Sequence, residues 1–253
     1  MKNIISICGK ELYTYFVSPI AYFVFFVFIA VSGFLYSNAL EYHSGIEGSG
    51  MAVMEFLFGI ISFILLVFAP LLTMKLFAEE RKSGTIELLL TSPVTDTEVV
   101  IGKFLASLSL LLIMLLLTLL FPILILSFGE LDLGPLISGY LGILLLGSCC
   151  LSVGLMISSM SKNQVVSGLT SFGVLLTLWV IGQLSNRAMS NHSGWLGELL
   201  AHLSAFLAYL SLVTHVEDFV RGVVSLKDAV YYLSATAVFL FATVKSIESS
   251  KWR

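Results

Sequence analysis

Six long apolar runs constrain this chain more than any other feature, because their interiors contain no Asp, Glu, Lys or Arg. The only charged residue within them is Lys75, two positions before the end of the second run. A helix needs about 20 apolar residues to cross the hydrocarbon core of a bilayer. We therefore predict an all-α polytopic membrane protein. Its six predicted transmembrane helices are Ile20–Leu40, Phe56–Phe77, Phe104–Phe128, Leu136–Met160, Val165–Leu184 and Ala229–Val244.

The composition agrees with lipid as the solvent for these runs. Of the 253 residues, 58% are hydrophobic and 11% are charged, whereas a soluble domain has about 45–50% apolar and about 25% charged residues. The net charge of −3 gives no indication of a nucleic-acid partner. We interpret residues 1–253 as a single transmembrane domain.

Lysine and arginine are distributed unevenly between the segments that connect the runs. Positive residues accumulate on the cytoplasmic side of a membrane protein. Ten of the thirteen lie on the side of the two chain termini, namely Lys2, Lys10, Lys75, Arg81, Lys82, Lys103, Lys162, Lys245, Lys251 and Arg253. The other side has Arg187, Arg221 and Lys227. We therefore predict that both termini are cytoplasmic.

Two further segments have helical patterns. Residues 2–17 place most of their apolar side chains on one helical face, which predicts an interfacial helix that ends at Ser18-Pro19. The alternative is a simple cytoplasmic segment. Leu199–Val213 is an uncharged run of 15 residues, which is short for a span. We predict outer re-entrant helices there, between spans five and six, and the alternative is a surface amphipathic helix.

The sequence lacks the residues that would supply energy or catalysis. The span interiors have none of the ionisable residues that ion-coupled transporters place near the bilayer midplane. Gly102-Lys103 is followed by Phe104 and lacks an upstream glycine, so it is not a phosphate-binding loop. We therefore expect no catalytic residue, no cofactor and no ATPase in this chain, and any energy would come from another polypeptide.

Histidine and cysteine show no ligand spacing. The histidines are His43, His192, His202 and His215. They fall on the outer side and match no local metal-binding pattern, so we interpret them as polar loop residues, with a metal site as the alternative. The cysteines, Cys8, Cys149 and Cys150, are interpreted as small apolar residues.

The most informative segment follows span two, where Glu79–Pro93 reads E-E-R-K-S-G-T-I-E-L-L-L-T-S-P. Five charges fall within its first nine residues. Thr85–Leu90 is predicted to form a short helix, because Gly84 permits a sharp turn, Thr85 can cap the helix and Pro93 ends it. A stiff helix of this kind can dock against another protein and transmit a push. The alternative is a solvated charged loop.

This segment resembles the coupling-helix signature of ABC-2 type permeases. G-K-E-L-Y-T-Y-F-V-S-P-I-A-Y at Gly9–Tyr22 is similar to the N-terminal segment of that family. H-V-E-D-F-V-R-G-V-V-S-L-K-D-A-V-Y-Y at His215–Tyr232 resembles the branch with gliding-motility and nitrous-oxide-reductase-maturation permeases. The likeness covers nearly the whole chain.

The resemblance implies a multi-pass protein of the bacterial inner membrane. It implies a dimer with a second permease copy or paralogue, and two cytoplasmic ATPase subunits that bind ATP and magnesium. The residues of the docking element would be Glu79, Glu80, Arg81, Gly84, Thr85 and Glu87.

Two functions agree with these features. The first is a permease subunit that couples ATP hydrolysis to export or extrusion of a substrate. The second is a membrane scaffold, or mechanotransmitter, that passes ATPase-driven motion to a periplasmic partner without transport. The candidate contacts for an outer partner are His215, Glu217, Asp218 and Arg221.

Overall fold

The structure, a computed structural model, describes residues 2–42, 49–85, 94–128, 131–188, 211–212 and 214–250. These residues form an all-α bundle without a strand in the described part of the chain. The helices are α1 Lys2–Val17, α2 Pro19–Tyr42, α3 Ser49–Thr73, α4 Ala78–Ser83, α5 Asp96–Thr118, α6 Leu120–Phe128, α7 Leu133–Met160, α8 Gln164–Ala188, α9 Val216–Val220 and α10 Leu226–Ser250.

The prediction of six transmembrane helices is confirmed. Six segments of the described chain are long and apolar enough to cross a membrane. They are Pro19–Tyr42, Gly50–Ser83, Asp96–Ser127, Leu133–Met160, Gln164–Gln183 and Leu226–Ser249. The helices extend beyond several predicted runs because polar residues at the ends of a span continue its helical hydrogen bonding.

The third span consists of two helices. α5 ends at Thr118 and α6 begins at Leu120. Pro122 lies in the first turn of α6. The N–H groups of a first turn have no partner within their own helix, so the N–H that proline lacks costs α6 no hydrogen bond. A proline therefore coincides with the break in this span.

α7 is the central helix of the bundle and lies against α3, α5, α8, α9 and α10. Its glycines allow close approach to neighbouring helices. A Cβ atom at Gly139 would lie 2.3 Å from the Phe58 ring, and one at Gly147 would lie 2.4 Å from Leu111. Cys149 and Cys150 are fully buried here, in agreement with their interpretation as apolar residues.

The two ends of the bundle are formed by different elements. We call the end where α1, α4, the start of α5 and the end of α7 meet the basic end. The end where α9 and the starts of α7 and α10 meet is called the α9 end. α7 and α10 run side by side between the two ends. There, the hydroxyls of Ser148 on α7 and Thr236 on α10 lie 3.5 Å apart.

Three finer predictions have different outcomes. A helix at residues 2–17 is present as α1 and ends before Ser18-Pro19, as predicted. The predicted helix Thr85–Leu90 lies outside the described residues except for Thr85. The predicted re-entrant segment Leu199–Val213 also lies outside them, except for Ser211 and Leu212.

Candidate coupling site

The charged segment at the basic end forms its own helix, α4. Glu79 and Glu80 occupy the first turn and Arg81 and Lys82 the last turn. This order is favourable for the helix dipole, which prefers anions at the N-terminus and cations at the C-terminus. α4 ends at Gly84, which has a φ of 74°. A glycine adopts this left-handed conformation without the steric penalty of a side chain.

One serine of α7 holds the start of α4. The Ser158 hydroxyl oxygen lies 3.2 Å from the backbone nitrogens of Phe77 and Ala78 and accepts their hydrogen bonds. The same hydroxyl lies 3.2 Å from the Met74 carbonyl oxygen, to which it donates. The first N–H groups of a helix have no partner within the helix. Ser158 therefore replaces an N-terminal cap and connects the end of α3 and α4 to α7.

A buried lysine joins three helices at the same end. Lys103 Nζ of α5 lies 2.7 Å from Glu11 Oε1 of α1 and 2.8 Å from Glu80 Oε1 of α4. Its side chain is 1% exposed, and Nζ lies 5.1 Å from the centre of the Phe77 ring. A buried ammonium requires such partners because its desolvation is costly. The Glu11–Lys103–Glu80 network therefore couples α1, α4 and α5.

α1 has further bonds to the spans. The Tyr15 hydroxyl donates to the Leu72 carbonyl near the end of α3. Burial, with smaller contributions from Glu11 and Glu79, raises the pKa of Tyr15, so the phenol remains a neutral donor. Thr95 and Glu98 form a capping box at the start of α5, and Asn3 Nδ2 lies 3.2 Å from Glu98 Oε2. α1 is thus joined to the spans along its length.

The predicted docking residues have different environments. Glu79, Gly84 and Thr85 are exposed and Arg81 is half-buried. Glu80 instead points inward to Lys103. Glu87 lies outside the described residues. Glu79, Gly84 and Thr85 are therefore accessible to a partner and Arg81 is partly so, whereas Glu80 is bonded within the bundle.

Lys103 and Glu11 belong to this site, although neither is among the residues that the sequence predicts for it. Lys103 was counted only as a positive charge near the membrane. A signal existed, because Val99, Val100, Lys103, Phe104 and Ser107 share one face of α5 and all are buried. A lysine in the middle of an apolar helical face predicts a buried anionic partner.

The α9 end contains a second polar cluster. His215 Nδ1 and Asp228 Oδ1 lie 2.5 Å apart in hydrogen-bonding contact, and each side chain is 7% exposed. The His215 ring stacks on Tyr231 with centroids 4.0 Å apart. His215, which the sequence predicts to be a polar loop residue, is buried here against a carboxylate. His215 and Asp228 are 13 positions apart in the sequence, and no local pattern indicates this contact.

α9 itself is held against α7. The Ser138 hydroxyl donates to the Phe219 carbonyl over 2.8 Å. A Cβ atom at Gly142 would lie 2.5 Å from Phe219 Cβ, so the glycine makes room for this helix. The other candidate residues for an outer partner are exposed, with Glu217 at 52% and Arg221 at 69%. Asp218 is exposed beside them.

Six apolar helices without a strand in the described chain, and a charged helix attached to one end, define a multi-pass helical membrane protein. The family model described as ABC-2 family transporter protein matches residues 6–247. The chain belongs to this family, and it is a transmembrane component of an ABC transporter, whose ATPase is a separate cytoplasmic component. No match was found among curated proteins.

Proposed function

We propose that this chain is the permease subunit that couples ATP hydrolysis by a separate ATPase to export or extrusion of a substrate. The observation that carries the proposal is the attachment of α4. Lys103 joins α4 to α1 and α5, and Ser158 joins it to α7. A displacement of α4 by a bound ATPase would therefore reach three parts of the bundle at once.

The ATPase would bind the surface of α4 and the segment after it. Glu79, Arg81, Gly84 and Thr85 would contact it directly, together with Glu87. Glu80 would act from beneath, because its carboxylate is bonded to Lys103. This arrangement requires that the basic end is cytoplasmic, in agreement with the distribution of lysine and arginine.

The wider assembly follows from the same proposal. We place the chain in the bacterial inner membrane with both termini in the cytoplasm, as a dimer with a second copy or paralogue. ATP and magnesium would bind the ATPase subunits. The resemblance of His215–Tyr232 supports the gliding-motility and nitrous-oxide-reductase-maturation branch.

Co-purification tests this function. The chain is expressed together with a candidate ABC ATPase and isolated through a tag on the permease. We expect Gly84→Pro and Glu80→Lys to remove most of the ATPase and its permease-dependent ATP turnover, whereas Glu217→Lys, a charge reversal at the α9 end, retains both. Size-exclusion profiles of each variant exclude misfolding. Association and turnover that are unchanged by Gly84→Pro and Glu80→Lys would contradict the proposal.

A second function, the scaffold that passes motion to an outer partner, is supported by the attachment of α9. Ser138 bonds α9 to α7, and His215 contacts Asp228 of α10, so motion of either span would reach the exposed Glu217 and Arg221. Liposome reconstitution separates the two functions. ATP-dependent movement of a solute supports the permease, and hydrolysis stimulated by an outer protein without flux supports the scaffold.

A further inference from the structure

A cavity of about 320 Å³ lies at the basic end between α1, the end of α3, α4 and α5. This volume is at the lower limit of the roughly 300–1,000 Å³ that small-molecule sites occupy. Unlike the apolar grooves on the lipid-facing surface, it is lined by charges of both signs. Its charged lining residues are Lys10, Glu11, Lys75, Glu79, Glu80 and Lys103.

The inner part of this cavity has an excess of negative charge. Glu11 and Glu80 are 12% and 17% exposed and share the single ammonium of Lys103. Glu80 Oε1 accepts from Lys103, but Glu80 Oε2 is buried and has no hydrogen-bond partner among the described residues. A buried carboxylate oxygen without a donor is costly. The inner part therefore favours one additional group that carries positive charge and N–H donors.

The outer part of the cavity has the opposite balance. Lys10 and Glu79 are exposed and Lys75 is half-buried, which gives two positive charges and one negative. The charges of the whole lining therefore run from a net −1 inside to a net +1 outside. A zwitterion whose ammonium points inward and whose phosphate lies outside is complementary to this pattern.

The position of the cavity identifies the source of such a zwitterion. Tyr15 and Ser18 line it, and α2 begins directly after them at Pro19. Apolar side chains around this junction are exposed, including Val17 at 64% and Tyr13 at 73%. Exposed apolar and aromatic residues at the start of a span lie at the level of the lipid headgroups. The headgroup of a lipid in the adjacent leaflet would therefore lie beside the cavity.

We propose that this cavity binds the phosphoethanolamine headgroup of a membrane lipid, with its primary ammonium beside the Glu80 and Glu11 carboxylates and its phosphate between Lys10 and Lys75. A primary ammonium has three N–H donors, whereas a trimethylated ammonium has none. The site therefore selects phosphatidylethanolamine over phosphatidylcholine. It selects against phosphatidylglycerol as well, which offers a phosphate without an ammonium.

The test uses the full chain, purified without an ATPase, delipidated in detergent and titrated with lipids of identical acyl chains. Native mass spectrometry measures the bound lipid. We expect phosphatidylethanolamine to bind about tenfold more tightly than phosphatidylcholine, the ratio that one charge-assisted hydrogen bond supplies. The monomethyl and dimethyl lipids should fall between them. This comparison uses the unmodified chain. Equal affinity for all four lipids would overturn the proposal.

Two variants locate the effect. Glu80→Gln should bring the two lipids to nearly equal binding, and Lys75→Gln should weaken binding of phosphatidylethanolamine. Their controls are Glu248→Gln and Lys245→Gln, an exposed pair on α10 that should change nothing. A preference that persists in Glu80→Gln would contradict the assignment to this cavity.

Two further outcomes would also overturn the proposal. Binding of soluble phosphoethanolamine without binding of the lipid would assign the site to the free compound. An unselective lipid profile, together with loss of ATPase association in Glu80→Gln, would assign the cavity to a basic side chain of the ATPase. Because lipid binding is measured without the ATPase, its failure leaves the proposed function untouched.

Discussion

The backbone N–H of Ala78 in α4 donates a hydrogen bond of 3.2 Å to the Ser158 hydroxyl of α7, and the two residues are 80 positions apart in the sequence. Ser159, the neighbour of Ser158, is equally buried, but its hydroxyl donates to Met156 within the same helix, over 2.6 Å. The two serines are therefore matched in burial and differ in whether they connect α4 to α7.

Ser158→Ala should lower stability by about 1–3 kcal/mol, because it leaves the N–H groups of Phe77 and Ala78 buried without a partner. Ser159→Ala should cost less, since the Met156 carbonyl keeps its helical bond. Thermal unfolding in detergent measures both. Equal losses for the two variants would show that Ser158 does not hold α4.

Replacement of Lys103 should be more severe. Lys103→Met leaves Glu11 and Glu80 facing each other without a cation, and breaking a buried pair in this way costs about 3–5 kcal/mol. Lys245→Met removes an exposed lysine from its pair with Glu248 and should cost about 0–1 kcal/mol. The double variant Lys103→Met with Glu80→Gln should recover part of the loss. No recovery would indicate that packing of the lysine stem, and not its charge, matters.

Gly84→Ala tests the end of α4. A Cβ atom at Gly84 meets no atom of the described residues within 4 Å, so the φ of 74° is the obstacle to alanine that this part of the chain presents. That conformation costs an L-residue about 1–2 kcal/mol. Gly59→Ala is the matched control, because its Cβ also has no described neighbour within 4 Å and its φ is not positive. We expect Gly84→Ala to reduce ATPase co-purification and Gly59→Ala to leave it unchanged.

Gly142→Ala should displace α9. Its new methyl group would collide with Phe219 Cβ, and overpacking of this kind costs about 1–3 kcal/mol. Gly134→Ala, at the start of the same helix, adds a methyl group that meets no atom within 4 Å in the described part of the chain. Labelling of a cysteine placed at Glu217 in each background should be faster with Gly142→Ala. Identical labelling rates would show that α9 tolerates the methyl group.

Asp228→Asn tests the contact with His215. The change keeps the shape of the side chain but removes its charge from a buried site, which should lower stability by about 1–3 kcal/mol. Asp218→Asn removes the same charge from an exposed position at the same end and should be neutral. The double variant Asp228→Asn with His215→Gln, compared with the two single variants, gives the coupling free energy between the two side chains. A coupling free energy near zero would mean that the short contact contributes nothing.

The spans could be predicted from the sequence because lipid imposes length and apolarity on every helix that crosses it. The Gly84 turn could also be anticipated, since few other residues adopt a positive φ. The helix formed by Ala78–Ser83 was missed because its six residues lack a side-chain cap. Its hydrogen-bond acceptor, Ser158, comes from another helix and leaves no local pattern.

The charged contacts of the candidate site could not be predicted from local sequence patterns, for a related reason. Glu11 and Lys103 are 92 positions apart, so no local pattern around either residue indicates the other. Which face of α5 turns toward α1 depends on packing such as that between Gly102 and Ile7, where a Cβ atom would lie 2.8 Å from the isoleucine. Close helix contact of this kind is set by the whole bundle.

The Glu11–Lys103–Glu80 network also has a consequence for biogenesis. Both carboxylates precede the lysine in the chain, so both have been synthesised when Lys103 leaves the ribosome. The network can therefore form while the last three spans are still being made. The bond from Ser158 to Ala78 must wait for α7. Insertion would then proceed in two stages, with the N-terminal half assembled around its lysine before the later spans close over it.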